Sequence, residues 1–141
     1  MKIEELHKTL QKLGVPGDRY YLHGLYGSTD DDEKYALVIK KGKYTIEYEV
    51  YYRERGGKHS ILTFTEEDKA CEYFFRQVKD SWTQEQIQKI DGFSGMTVNE
   101  RLYISELMDE FAKCKAVNKT RAVHILRMLQ IDEPSIKEII K

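Results

Sequence analysis

The sequence predicts an α+β fold: an N-terminal helix, a three-stranded antiparallel sheet, a helix packed on the sheet, then a small C-terminal helical segment. Three observations predict it. Apolar residues recur at helical spacing near the N-terminus, a tyrosine-rich run alternates in the middle, and the last third shows helical patterning alone. The expected division is an α-β-β-β-α domain over 1–92 and a helical subdomain over 93–141, packed separately or as one unit.

The first helix is short and amphipathic. Gly14 and Pro16 end its pattern, as helix-stopping residues do. Its apolar positions are Ile3, Leu6, Leu10 and Leu13. The stretch 18–33 that follows is polar and contains glycine, which predicts a loop.

Three strands follow this loop. Residues 35–40 (YALVIK) are rich in strand-forming types, and Lys41-Gly42-Lys43 predicts a tight turn. Residues 44–53 alternate as a half-buried antiparallel strand does. Residues 59–64 form the third strand after Gly56-Gly57, which can supply the positive φ angles of a hairpin. In the middle strand, one face carries Tyr44, Ile46, Tyr48, Val50 and Tyr52, and the other carries Thr45, Glu47, Glu49, Tyr51 and Arg53.

The rest of the chain has the pattern of helices. Thr65 is the expected N-cap of a helix, and a weaker helix is expected over 83–90. The break at 91–95 marks the domain boundary, and Thr97-Val98-Asn99-Glu100 predicts a capping box. The inner face expected after Thr65 is Ala70, Cys71, Phe74, Phe75 and Val78. The apolar stripes expected after the break are Tyr103, Leu107, Phe111 and Cys114, then Ala122, Ile125, Leu126 and Leu129, then Ile136, Ile139 and Ile140.

Composition limits the classes of function. The chain has 141 residues, 40% of them hydrophobic, which is enough for a core. Its net charge is −1, so no global basic field points to nucleic acid or an anionic membrane. The N-terminus lacks the apolar region of a signal peptide, and no run has the length of a membrane span. A soluble, cytoplasmic protein without a membrane partner is therefore expected.

No arrangement typical of an enzyme stands out. Cys71 and Cys114 lack the spacing of a metal or redox pair, and the four histidines form no HxH or HxxxH pair. The sequence also contains no GxSxG motif, and neither cysteine has a clear histidine partner. We therefore expect no catalytic residues, no metal and no cofactor. An enzyme whose site is assembled from distant residues, with Glu54 or His59 in a deep pocket, is kept as a third hypothesis.

The segment YYRERGGKHS, residues 51–60, gathers Arg53, Glu54 and Arg55 beside the double glycine. A phosphate-binding loop would need its glycines at the start of a helix, whereas these join two strands. A solvated hairpin is the favoured interpretation, and a binding contact is the second.

The acidic run Asp30, Asp31, Asp32 and Glu33 also has two interpretations. It is either a solvated loop or a negative patch that attracts a basic partner. Loop or outer-face positions are expected for Tyr20, Tyr21, Tyr26 and Tyr51, where tyrosines could anchor an interface. Tyrosine is also an ordinary strand residue, so local packing remains the alternative.

The predicted element order also matches that of the double-stranded RNA-binding domain. Such a domain grips phosphates with lysines at the start of its second helix. Here that turn is Thr65-Glu66-Glu67-Asp68-Lys69, whose carboxylates would repel phosphates. An RNA-binding module is kept as the alternative function, and nucleic acid is disfavoured as the partner.

Two stretches resemble the immunity proteins of bacterial polymorphic toxin and contact-dependent growth inhibition systems. The first is YEVYYRERGGKHSILTFTEEDKACEYFFRQV, and the second is MTVNERLYISELMDEF with its trailing short helices. The resemblance spans roughly residues 35–141. It implies a small, non-enzymatic protein that binds a cognate toxin C-terminal domain, a nuclease in many systems, and neutralises it in a one-to-one complex. The residues expected to contact the toxin are Asp30, Asp31, Asp32, Glu33, Tyr20, Tyr21, Tyr26, Tyr51, Arg53, Glu54 and Arg55.

Overall fold

The structure, a computed structural model, describes residues 1–141. The chain divides into two compact units, Met1–Trp82 and Thr83–Lys141. The first unit contains helix α1 (Ile3–Lys12), the five strands and most of helix α2 (Glu67–Gln88). The second contains helices α3 (Val98–Ile104), α4 (Met108–Val117), α5 (Lys119–Met128) and α6 (Glu133–Ile140). No helix has both the length and the apolar composition that crossing a membrane requires.

The α+β class holds, but the prediction of a three-stranded antiparallel sheet is wrong. The sheet has five strands in the order β2-β1-β3-β4-β5. Strand β1 pairs in parallel with β3, and the other neighbours are antiparallel. The strands are β1 Tyr20–Leu22, β2 Tyr26–Gly27, β3 Tyr35–Lys41, β4 Ile46–Glu54 and β5 Gly57–Phe64.

The two additional strands lie inside the stretch that the sequence predicts to be a loop. They contain three and two residues, which is too short for an alternating pattern to show. Strand β1 forms because its backbone groups find partners on β3, where Tyr20 is opposite Tyr35 and Leu22 is opposite Leu37, and β2 in turn pairs with β1. A local pattern cannot report a partner that lies fifteen residues away.

One face of the sheet packs against α1 and α2 to form the core of the first unit. Glu49, Tyr51 and Arg53 of β4 alternate with the core residues Tyr48 and Val50, and lie on the other face, called here the outer face. The buried core residues are Ile3, Leu6, Leu10, Val15, Tyr20, Leu22, Leu37, Val50, Ala70, Cys71, Phe74 and Val78.

Helix α2 confirms most of its predicted inner face, with Ala70, Cys71, Phe74 and Val78 buried. It begins at Glu67 and runs without a break to Gln88, so the weaker helix expected after residue 83 is its continuation. Burial raises the pKa of the Cys71 thiol to about 12, which keeps it protonated and unreactive.

The second unit has its own core. The capping box is confirmed: Thr97 accepts the backbone N–H of Glu100, and the Glu100 carboxylate accepts that of Thr97. The single helix suggested by the Tyr103-to-Cys114 stripe is instead two helices, because Glu106 adopts a left-handed conformation with φ of 62°. The buried residues of this core are Ile87, Phe93, Leu102, Leu107, Phe111, Ala122, Ile125, Leu126, Met128, Leu129 and Ile136.

Candidate interaction surface

The outer face of the sheet carries a network of charged side chains around Tyr51. The Tyr51 hydroxyl donates to Oδ2 of Asp31 at 2.6 Å, and Nε of Arg53 donates to the same oxygen at 2.8 Å. Arg53 also donates from Nη1 to the carbonyl of Gly56 at 2.8 Å. Asp31, Tyr51 and Arg53, called here the clamp, therefore join the acidic loop, the middle of the sheet and the β4–β5 turn.

The clamp stabilises one protonation state for each member. Burial, with the hydrogen bond to Asp31, raises the pKa of Tyr51 to about 12, so its phenol stays a donor at neutral pH. Burial also raises the pKa of Asp31, but the hydrogen bonds from Tyr51 and Arg53 outweigh it and hold that pKa below its ordinary 3.8. Asp31 is therefore an ionised carboxylate that accepts one hydrogen bond from the Arg53 guanidinium and one from the Tyr51 hydroxyl, both of them charge-assisted.

A second ion cluster adjoins the clamp on the same face. Glu49 is only 6% exposed and accepts from Lys40 and from Lys58, each at 2.8 Å. These two hydrogen bonds outweigh burial and lower the pKa of Glu49. The Lys58 ammonium also lies 4.5 Å from the centroid of the Tyr51 ring, within cation–π range. Tyr51 therefore contacts both clusters: its hydroxyl belongs to the clamp, and its ring lies against the Lys58 ammonium.

The acidic run is fastened to the hairpin at a second point. One carboxylate oxygen of Glu33 accepts the backbone N–H of Arg55 at 2.7 Å. The Glu33 carbonyl accepts from the Tyr52 hydroxyl at 3.3 Å. Within the loop, Oδ1 of Asp30 accepts the N–H of Asp32 at 3.0 Å and the Lys34 ammonium at 3.3 Å. Hydrogen bonds therefore fasten the loop both internally and to the hairpin, with Asp32 exposed.

Most of the predicted contact residues come together here. Asp31, Tyr51 and Arg53 form the clamp, Glu33 binds the backbone of Arg55, and Glu54 is exposed beside it. Tyr21 lies on the same face as Tyr51, because the two flank Ala36 in register on β1, β3 and β4.

The exposure expected for two of the tyrosines is wrong. Tyr20 is fully buried, where its hydroxyl lies 2.8 Å from Nδ1 of His7, and Tyr51 is 3% exposed. Tyr26 stacks on the His7 ring instead of joining the outer face. Tyr20 belongs to the core, and the Tyr51 ring is covered by the side chains of Lys58 and Arg53, so neither tyrosine presents its ring to a partner.

Sequence reasoning did not single out Glu49, Lys40 or Lys58. The alternation in β4 does place Glu49 on the face of Tyr51 and Arg53, so that pattern was the available signal. The two lysines come from the neighbouring strands, where Lys58 is opposite Arg53 and Lys40 is opposite Glu47, two residues from Glu49. Their convergence depends on register.

The second unit presents an apolar groove of about 420 Å³ lined by Met96, Asn99, Glu100, Tyr103, Ile104 and Met108. The Glu100 carboxylate is engaged by the backbone of Thr97, and neither Glu54 nor His59 lies in the groove. No group of three or more histidine, cysteine, aspartate or glutamate side chains is placed to hold a metal ion.

Comparisons with protein-family models, with curated proteins and with solved structures each found no match to this chain.

The clamp and Glu49 should make stability fall in acid. Because Asp31 and Glu49 have lowered pKa values in the folded state, the unfolded chain binds more protons and stability rises with pH. Their contribution is full above their ordinary pKa values of 3.8 and 4.5 and is lost as pH falls through the folded values. Urea titrations at several pH values should therefore show a steep loss of unfolding free energy below about pH 4.

The matched control is the double substitution Asp31→Asn with Glu49→Gln. Other lowered carboxyl groups, such as Glu133, are common to both proteins and cancel in the comparison. The variant should have a lower unfolding free energy than the wild type at neutral pH, and that free energy should fall less on acidification. Parallel pH profiles for the two proteins would contradict the assignment.

Proposed function

We propose that this chain is an immunity protein that binds and neutralises the C-terminal toxin domain of a bacterial polymorphic toxin system in a one-to-one complex. The observation that supports it best is the way the acidic loop is held. Asp31 and Glu33 fasten the loop to the hairpin, which orders it before any partner arrives. A surface ordered in advance loses less entropy on binding than a mobile one does.

The contact surface we propose is formed by the exposed carboxylates of Asp30, Asp32, Glu33 and Glu54. The carboxylates of Glu33 and Glu54 also raise the pKa of the Tyr52 phenol, after the larger effect of burial, which places both near that ring. Arg55 is the exposed cation among them, so the patch is mainly negative. Such a patch would attract the basic surface of a nuclease and increase the association rate.

The structure changes which residues are suited to contact a toxin. Asp31 is 23% exposed and holds the clamp, so Asp31→Lys would disturb the loop itself rather than remove one surface charge. Tyr51 and Arg53 both donate to Asp31, so substituting either would also change the position of the loop. Asp32 and Glu54 are exposed and are the better positions for testing the interface.

The decisive experiment uses the reading frame next to this chain's gene. Its C-terminal domain is expressed in cells with and without this protein. Growth arrest that this protein relieves, together with a purified complex, is the expected result. Absence of both toxicity and a complex would remove the proposal.

Within that complex, Asp32→Lys with Glu54→Lys should weaken toxin affinity by about tenfold to a hundredfold. Because both residues are exposed, reversing their charges should mainly slow the association of this chain with the toxin. This effect on the association rate should be smaller at high salt. Surface plasmon resonance at two salt concentrations measures both rates.

The control is Glu72→Lys with Asp91→Lys, which makes the same change of charge at two exposed positions outside the loop and hairpin. It should bind as the wild type does. If both double variants bind equally well, the interface lies elsewhere on the chain.

A further inference from the structure

The apolar groove of the second unit is a surface that the proposed function does not use. Its volume of about 420 Å³ is within the range of ligand-binding pockets. Four of its six lining residues are large and mainly apolar: Met96, Tyr103, Ile104 and Met108. Tyr103 is 79% exposed and Ile104 is 43% exposed. The chain itself therefore leaves this apolar surface uncovered, as proteins do at interaction sites.

The groove runs along helix α3. Glu100 and Ile104, which lie one turn apart on α3, both line it. Asn99 and Tyr103 are a second such pair, and Met108 is the first residue of α4. Because a helix pairs its backbone groups internally, these walls offer no row of donors and acceptors to an extended segment. A second helix satisfies its own backbone and inserts only side chains, so a helix is the partner that fits.

Acidic side chains border the groove. Glu100 lines it, Glu106 lies in the connection between α3 and α4, and Asp109 lies in the first turn of α4. All three residues are exposed. Hydrogen bonds to Thr97 lower the pKa of Glu100, so this carboxylate is ionised at neutral pH.

No basic side chain balances these carboxylates within the groove. The segment 96–112 contains one basic residue, Arg101, which does not line the groove. The Arg101 guanidinium donates to the carbonyl of Ser94 at 2.8 Å and to that of Leu129 at 2.9 Å. It also donates to the carbonyls of Met96 and Gln130, each at 3.1 Å. Since Arg101 is occupied in this way, the border of the groove is negative and favours a cationic partner.

We propose that the groove binds a basic amphipathic helix of a protein partner. Apolar side chains of that helix, spaced at i, i+4 and i+7, pack against the lining, and its lysine or arginine side chains face the acidic border. Helix α3 has seven residues, so about two turns of the partner helix lie along it. The flexible side chains of Met96 and Met108 can adjust to apolar residues of different shape.

This binding is independent of the proposed immunity function. The groove belongs to the second unit, whereas the acidic loop and the hairpin belong to the first. Because only a few side chains enter the groove, we expect a Kd of about 10–100 μM for a basic amphipathic helix.

NMR of the methionine methyl groups tests the proposal with the whole chain. Met96 and Met108 line the groove, whereas Met1 belongs to the first unit and Met128 is buried in the core of the second. A synthetic helical peptide with leucine at helical spacing and lysine elsewhere should shift the ¹³C-methyl signals of Met96 and Met108. The signals of Met1 and Met128 should move far less. Unchanged signals of Met96 and Met108 would overturn the proposal.

A second peptide, with glutamate in place of every lysine, tests the preference for a basic partner. It has the same leucine positions, so it presents the same apolar face with the opposite charge. It should bind at least tenfold more weakly, because its carboxylates face those at the border of the groove. Equal affinity of the two peptides would overturn the proposed preference.

Substitution of Tyr103 tests the apolar lining. Tyr103→Ser removes the exposed ring and should weaken binding of the basic peptide at least tenfold. The control is Tyr44→Ser, at an 89% exposed position in the first unit, which should bind as the wild type does. An unchanged Met128 signal shows that the core of the variant is intact. Equal affinity of the two variants would place the binding site outside the groove.

Neutralising the border tests the charges. Glu106→Gln with Asp109→Asn should weaken binding of the basic peptide by about threefold to tenfold at low salt, and less at high salt. Glu72→Gln with Asp91→Asn makes the same change of charge at exposed positions that do not line the groove, and should have little effect. Equal effects of the two double variants would contradict the role of the acidic border.

Discussion

Replacing Phe74 by alanine should lower the free energy of unfolding of the first unit by about 3–5 kcal/mol. The ring is fully buried in the core formed by α1, α2 and the inner face of the sheet. Its removal loses apolar burial and leaves a cavity that the surrounding helices and strands can fill only in part. The loss is a large fraction of the stability of an ordinary domain.

The neighbouring residue provides the control for this prediction. Phe75 is only partly buried, so Phe75→Ala should cost about 1 kcal/mol. The chain has one tryptophan, Trp82, which belongs to the first unit, so its fluorescence in a urea titration reports the unfolding of that unit. Similar midpoints for the two variants would show that the inner face of α2 is assigned wrongly.

Replacing Gly27 by alanine should destabilise the first unit by about 2–5 kcal/mol. Gly27 lies in β2 with φ of 77°, a left-handed conformation that a side chain disfavours. A Cβ there would lie 2.6 Å from the carbonyl oxygen of Tyr20, which is backbone and cannot move aside easily. The substitution therefore adds a steric clash to the conformational cost.

Gly56→Ala separates these two effects. Gly56 has a φ of 79°, but no atom lies within 4 Å of the place that an alanine methyl would occupy, so only the conformational cost of about 1–2 kcal/mol applies. In thermal unfolding followed by Trp82 fluorescence, the Tm of Gly27→Ala should be well below the Tm of Gly56→Ala. Equal losses of Tm would mean that β2 does not approach β1 as the structure shows.

Local signals account for the parts of the fold that the sequence predicts correctly. The inner face of α2 and the capping box at Thr97 both depend on residues three or four positions apart, so a single stretch contains the whole pattern. The hairpin of β4 and β5 is also local, since the two-residue turn Arg55-Gly56, both with positive φ, joins strands that are adjacent in the chain.

The candidate surface was predictable only in outline. Grouping the acidic run with the tyrosines and the hairpin tip rested on their chemistry, and the structure does bring Asp31, Tyr51 and Arg53 together. Their roles could not be inferred from the sequence, because the burial of Tyr51 depends on side chains from β5 and the loop before β3. The sequence predicts that Tyr51 contacts a partner, whereas in the structure Tyr51 is buried and its hydroxyl holds Asp31 of the acidic loop.

By itself, the sequence determined the α+β class, the amphipathic helices, the capping box at Thr97 and the alternating central strand, because each arises from interactions along one stretch of chain. The tertiary structure alone decided the strands β1 and β2 and the burial of Tyr20. These features have no local pattern of their own. Their stability comes from hydrogen bonds and packing with residues far away in the chain, and those exist only once the chain has folded.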